Sequence, residues 1–507
     1  MRNKLSHIYK SFSVVFILSI INSLLSFAKE AIFAKYFGVS QTTDAFAIAS
    51  QIPDILYAVV SVAIGATIIP LYSEVFFRKN KEEADKFVSK YFTFIVIFSL
   101  AFVLLGEIFT SQIVMLFAPG LDAKTHSLTV ELLRVTFPVV LLTGLVGIFR
   151  GVLHVHGWFG RAGISTVFRT LIYIACIIYL YKKYGIFAAA FGLLLGTLVE
   201  FLVAWLFVKP KLVIRLNYEF HDERLAKAMR MTIPIIIGIG AAEINRIVEK
   251  IVASFLSSGS ISALSYASRL SGAFSGIIIS SISTVMYPQT AERAANNDSS
   301  GLQAVFISTL SIYSIIIVPI ILGAIVLRYQ LVSIAFFRGA FSAADVATTS
   351  GLFACYIASM WFSAIRETGA RLFYASGNTK IPMRNSLLGI AINIVLAIIL
   401  SKYMAAIGLA LASVISTSTI CILMLVSTRK LLKNFNWMPF ITAILKSIIS
   451  ASIMVLSIVV LQHYISSFSL SLNLIVSIFC GAFVYGVMLI ISKTKELRLV
   501  FELHKNR

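Results

Sequence analysis

The sequence predicts an all-α polytopic membrane protein: about fourteen transmembrane helices, in two parallel-related lobes of about six helices each, plus an extra C-terminal helix pair. Three observations lead there. The 507 residues are 59% hydrophobic and 13% charged, with a mean hydropathy of +0.92, whereas a soluble domain carries about 25% charged residues. Apolar runs long enough to cross a hydrocarbon core of about 30 Å recur along the whole chain. The chain also repeats itself after about 220 residues.

In chain order the apolar runs fall at 11–28, 45–72, 91–109, 132–153, 163–181, 185–208, 233–256, 261–288, 304–327, 350–366, 385–401, 404–427, 440–462 and 470–492. Strands are not expected, because a lipid-exposed segment must satisfy its own backbone hydrogen bonds. The first run has the length of a signal peptide but continues into repeated, charge-bearing sequence, so it reads as an uncleaved helix. Pro53 and Pro70 in the second run and Pro138 in the fourth predict kinks, since proline removes a helical donor. KNKEEADKFVSK (79–90) predicts a short separate cytoplasmic helix at the membrane interface.

The repeat sets Glu30–Glu74 against Glu249–Glu292 with a one-residue gap near Val39, so that Glu30 meets Glu249, Ala34 meets Ala253 and Pro70 meets Pro288. A second pair sets Leu153–Gly163 against Phe373–Met383 and shares Gly157 and Gly377. The offset covers an even number of spans, so both units enter the membrane from one side. A pseudo-two-fold axis along the membrane normal follows, as in parallel-repeat transporters. The expected domains are 1–208, a basic cytoplasmic linker at 209–230, a second lobe at 231–430, and a final pair with its tail at 431–507.

The formal charge of +21 could suggest nucleic acid, and its placement argues otherwise. Arg78, Lys79, Lys86, Lys90, Lys209, Arg215, Arg230, Arg371, Lys380, Arg429 and Lys493 gather in alternate connections and the tails. That positive-inside bias puts both termini in the cytoplasm. Cys176, Cys355, Cys421 and Cys480 lie in apolar runs without CxxC spacing and read as small core residues. No GxxxxGK[ST], HExxH or GxSxG segment appears, so neither ATP-driven transport nor hydrolysis is expected on this chain. No cofactor is called for. Movement would draw on an ion gradient, the membrane potential or downstream consumption of the substrate.

Ionisable residues at membrane depth cost several kcal/mol unless they meet a partner or a cavity, so each is a candidate. Lys29 and Glu30 follow the first apolar run, and FAKEAIFAKYFG favours continued helix. Glu243, Arg246, Glu249 and Lys250 share the seventh helix, with Glu243, Arg246 and Lys250 on one stripe. Arg269 adds a cation on the eighth. Fixed inter-helix ion pairs would account for these charges too, but a cationic cavity suits phosphate, whose oxygens guanidinium binds bidentately. Asp44 opens the second helix, where capping its own N-terminus is an alternative role. His154 and His156 are spaced wrongly for a helical metal pair and read as solvated turn residues.

AKYFG with TDAF (34–46), LFAPG (116–120) and SISALSYASRL (260–270) together resemble the MurJ (MviN-type) lipid II flippase family of the multidrug/oligosaccharidyl-lipid/polysaccharide exporter superfamily, and the resemblance runs in order from about residue 10 to 430. It implies a MATE/MurJ-like fold and outward movement, by alternating access, of an undecaprenyl-pyrophosphate-linked peptidoglycan precursor in the bacterial inner membrane. The partners it implies are a lipid-linked oligosaccharide and the bilayer, with no nucleic acid, and a monomeric transporter in place of an enzyme. The substrate-binding set becomes Lys29, Glu30, Asp44, Glu243, Arg246, Glu249, Lys250, Ser262 and Arg269. Lys29 replaces the family's FAR[DE] arginine, Ser268 replaces the acid before Arg269, and Tyr57 and Ala58 stand where many members carry an arginine. Arg246 and Lys250 are candidate replacements. Asn393 matches one sodium ligand of some members but Ala397 does not match its partner, so no metal is expected. The alternatives are a flippase for another polyprenyl-linked glycan (O-antigen, capsule or exopolysaccharide), a drug or cation antiporter, and a membrane-embedded transferase.

Overall fold

The computed structural model describes residues 2–78, 81–210, 212–218, 243–296, 298–432, 436–465 and 467–492, with side chains from residue 17 onward except 56–67, 70, 77 and 78. Among them there are helices and no strands. The helices are α1 (Arg2–Phe37), α2 (Gln41–Arg78), α3 (Lys81–Ile108), α4 (Thr110–Phe117), α5 (Ala123–Thr136), α6 (Val139–Val155), α7 (Phe159–Tyr184) and α8 (Phe187–Val208). α9 is helical from 243 to 254. There follow α10 (Ser260–Ala295), α11 (Ser299–Val326), α12 (Arg328–Phe336), α13 (Ala343–Ala375), α14 (Lys380–Leu431), α15 (Met438–Tyr464) and α16 (Leu470–Ile491).

Eleven helices among the described residues are long and apolar enough to cross a membrane, against about fourteen expected. Three regions make the difference. α14 holds two apolar runs joined at Ala405, where the backbone leaves the helix. α2, 38 residues long, has its middle side chains outside the described residues, as is Pro70. The seventh run begins before α9, in residues that are not described.

The chain forms two compact units, Met1–Ser262 with Arg338–Phe341, and Ala263–Phe337 with Ser342–Arg507. In the first unit, α1 continues unbroken to Phe37, past the apolar run that ends at 28, so Lys29 and Glu30 are helical residues. The predicted separate helix at 79–90 is not formed: Lys81–Lys90 is the start of α3. Pro138 does more than kink. It separates α5 from α6, standing as the N-cap of α6, because neither its missing N–H nor its ring fits a helix interior.

The linker after α8 has no regular secondary structure over 212–218, and α3 holds it. Val213 N–H donates to Asp85 Oδ2 at 3.3 Å, Arg215 N–H to Ser89 Oγ at 3.1 Å, and Asn217 N–H to Thr93 Oγ1 at 3.0 Å. Ser89 Oγ donates in turn to Val213 O at 3.3 Å. The match is geometric. One i, i+4 step on a helix rises about 6 Å, and two residues of extended chain span about 6.7 Å. Asp85, Ser89 and Thr93 therefore meet alternate residues of the linker. Buried Ala84, Phe87, Val88 and Leu212 close the apolar side.

In the second unit α15 and α16 pack on α11 through a carbonyl that a proline releases. Pro319 inside α11 has no N–H for the carbonyl four residues earlier, Ile315. Tyr485 of α16 donates to Ile315 O at 2.7 Å, and Ser447 of α15 donates to Ser314 O at 3.0 Å. Ser447 Oγ and Tyr485 Oη also lie 2.8 Å apart. Met454, Ile458, Leu474 and Leu489 fill the apolar interface around them.

Candidate substrate site

Lys29 and Glu30 form an ion pair, Nζ to Oε1 3.1 Å, with side-chain exposures of 31% and 12%. The ammonium also sits 5.5 Å from the centre of the Tyr173 ring on α7. Carboxylate and ring together hold a partly buried cation, since both favour positive charge in a low-dielectric setting. An ammonium has three donors, so this one can engage an anion while keeping Glu30.

Asp44 does not cap its own helix. Ser40 does that, accepting from Thr43 N–H at 3.3 Å. The Asp44 carboxylate is 4% exposed and reaches the start of α10, accepting from Gly259 N–H at 2.6 Å and Ser262 N–H at 2.7 Å. A carboxylate on the free amides of a helix N-terminus is favoured by hydrogen bonding and by the helix dipole. The repeat sets Asp44 opposite Ser262, so here a residue binds the backbone of its own counterpart. Ser262 is 1% exposed and its hydroxyl donates to Gly259 O at 3.0 Å.

Two glycine loops flank this cap and answer each other. Gly120 N–H donates to Ser254 Oγ at the end of α9, 3.0 Å away. Ala340 N–H donates to Lys35 O at the end of α1, 2.8 Å away. Gly120 and Gly339 lie about 220 residues apart, as do Lys35 and Ser254. Both glycines are needed for the approach. A Cβ on Gly120 would stand 2.7 Å from Ser254 backbone, and one on Gly339 2.2 Å from Lys35 O.

On α9, Arg246 Nη1 donates to Glu243 Oε2 at 3.0 Å, with Glu243 nearly buried and Arg246 half exposed. Glu249 and Lys250 are partly buried, and the Lys250 charge acts on Asp44. Arg269 belongs to the second unit and is exposed. Asn393, also there, donates to Ser413 Oγ at 3.4 Å, and Ala397 is fully buried. Among the described residues no group of three or more His, Cys, Asp and Glu is placed to hold a metal. His156 is no solvated turn residue. It lies 3.1 Å from Tyr72 Oη and packs against Phe76.

One constellation escaped the sequence reading. Glu200 of α8 is 1% exposed and accepts from Arg150 of α6, with Arg169 Nη1 of α7 3.6 Å from its other oxygen. Arg150 also donates to Thr166 Oγ1 at 2.8 Å. All three charges lie within apolar runs, so the rule that flagged Lys29 applies equally to them.

This arrangement of charged helices inside an all-α membrane fold has relatives. The family model described as "Lipid II flippase MurJ" matches residues 33–479. The chain belongs to the lipid II flippase MurJ family. A solved MurJ structure in an inward closed conformation aligns at TM-score 0.81 with 27% identity, covering 94% of this chain and 98% of that one. A relative from Buchnera aphidicola subsp. Acyrthosiphon pisum, described as "Probable lipid II flippase MurJ", is 28% identical over 97% of this chain and 98% of its own length. One from Vibrio cholerae with the same description is 26% identical over 80% of each chain. An inward-facing MATE multidrug transporter of the MOP superfamily aligns at TM-score 0.70 with 15% identity, which shows the shared fold alone. The MurJ family is one of multi-pass membrane transporters, and the helices described above fit it.

Proposed function

We propose that this chain moves lipid II, the undecaprenyl-pyrophosphate-linked peptidoglycan precursor, from the cytoplasmic to the outer leaflet of the bacterial inner membrane by alternating access. The observation that carries this reading is the family match across residues 33–479. Lys29, steadied by Glu30 and Tyr173, supplies a cation to the pyrophosphate, with Arg246 and Lys250 of the same unit as further cations, and Arg269 is the candidate cation of the second unit. Glu243 and Glu249 keep the α9 cations partnered between cargoes, while Asp44 and Ser262 hold the helix ends beside them. A doubly charged headgroup leaving water needs such contacts, because uncompensated charge is costly at membrane depth. The gathering of Lys and Arg in alternate connections supports cytoplasmic termini. The protein works as a monomer without a cofactor, on the membrane potential or an ion gradient.

The test is complementation of a MurJ-depleted bacterium. The wild-type chain is expected to restore growth, and Lys29→Ala and Arg269→Ala to fail at normal membrane levels. A well-expressed wild-type chain that fails would move the cargo to another polyprenyl-linked glycan. Full rescue by both variants would end the cationic-contact mechanism.

A further inference from the structure

The three-charge cluster of the first unit holds one guanidinium more than its own electrostatics require. Glu200, 1% exposed, is a costly buried charge that one arginine neutralises, and Arg150 does so while also donating to Thr166. Arg169 adds a second positive charge within an apolar helix. Among the described residues Glu200 is its only carboxylate, at 3.6 Å, and its side chain is 21% exposed. A cluster that served packing alone would be cheaper without it, since surplus charge at this depth is unfavourable.

The placement of Arg169 supplies its use. It lies one turn before Tyr173 on α7, about 6 Å along the axis, and Tyr173 is the ring under Lys29. Residues four apart share a helix face. α1 packs along this part of α7, where Asn22 Nδ2 donates to Gly163 O at 3.4 Å. The other side of Arg169 is held by close helix contact, since a Cβ on Gly196 of α8 would stand 2.7 Å from Arg169 O. Gly196 is one turn from Glu200, so the backbone and head of Arg169 are fixed by neighbouring positions of one helix.

We propose that Arg169 is an anion-binding residue for the pyrophosphate of the lipid-linked cargo, with Glu200 as its positioning residue and Arg150 as the neutraliser of Glu200. The inference rests on the function proposed above. It assigns to α7 the planar fork that Lys29 cannot provide: a lysine is a point charge, whereas a guanidinium grips two phosphate oxygens at once.

The test uses the full chain in detergent micelles, with undecaprenyl pyrophosphate and undecaprenyl phosphate as separate probes, binding followed by microscale thermophoresis and folding by thermal melting. Arg169→Lys is expected to weaken pyrophosphate binding about tenfold, in line with losing a charge-assisted hydrogen bond, with little change for the monophosphate and an unchanged melting temperature. Arg169→Ala should lose at least as much, and if it melts early the lysine variant decides. A lysine variant that keeps the wild-type preference for pyrophosphate overturns the inference and leaves the cluster a packing device. A wild-type chain without that preference overturns the proposed cargo, and the inference falls with it.

Discussion

The two repeats make the same turns with different residues, and they differ in how the helices beyond those turns are tied. After α6 and again after α13 the chain closes the same two-bond cap. Trp158 N–H donates to Leu153 O and Asn378 N–H to Phe373 O, both at 2.8 Å, while Gly157 and Gly377 take φ of 73° and 72°. Glycine adopts that left-handed conformation without a Cβ clash. The caps of α5 and α13 exchange acid and hydroxyl. Asp122 accepts from Thr125 N–H at 3.2 Å, whereas Ser342 accepts from Asp345 N–H at 3.2 Å. Between α7 and α8, Gly185 sits at φ 53°, ψ −131°; Ala405 sits at φ 48°, ψ −130° in α14. Beyond these turns the likeness stops. α7 and α8 are tied by Glu200 and Arg169, whereas the halves of α14 are joined by neutral bonds, Ser416 Oγ to Gly389 O at 2.7 Å and Asn385 Nδ2 to Ser427 Oγ at 3.3 Å. Shared backbone geometry thus carries the turns, and a charged tie between α7 and α8 stands where α14 has neutral bonds.

The comparison is most easily broken at that charge. Glu200→Ala should cost about 4 kcal/mol, because two guanidiniums lose their buried counter-ion, whereas Asn385→Ala should cost about 1 kcal/mol for a neutral hydrogen bond. Equal losses in denaturation of the purified protein would erase the distinction. Gly339→Val should cost about 3 kcal/mol, through a β-branched residue at φ 62° and a Cβ 2.2 Å from Lys35 O. The Ala340 amide, bonded to Lys35 O, should lose protection from hydrogen exchange, and full protection would show that the loop does not depend on Gly339.

Ala405→Gly should gain about 1 kcal/mol by relieving a positive φ that alanine tolerates poorly, with Gly185→Ala losing a similar amount. A destabilised glycine variant would mean that the two turns are not equivalent. The smallest effect is acid-dependent. The Thr125 hydroxyl and amide hold the Asp122 carboxyl below its ordinary value of 3.8. The cap should be complete above that value and weaken as pH falls through the lowered one, read as faster exchange of the Thr125 amide. Acceleration beginning above pH 3.8 would contradict this assignment.

Composition, the apolar runs and the repeat determined the all-α membrane architecture, because hydrocarbon leaves a spanning backbone few ways to satisfy its own hydrogen bonds. Lys29 and Glu30 were legible as candidates for the same reason, each standing out against an apolar background. Partners were not legible. Asp44 reads locally as the cap of α2, and only tertiary structure turns its carboxylate to the α10 amides, since Ser40 already serves α2. Arg150, Arg169 and Glu200 lie in three separate helices, and nothing in one dimension says that they meet. The linker on α3 was hidden likewise, because a stripe at helical period and alternate residues of a linker match only when laid side by side. Local backbone and polarity follow from neighbours in sequence, whereas the pairing of charges depends on which helix faces lie together.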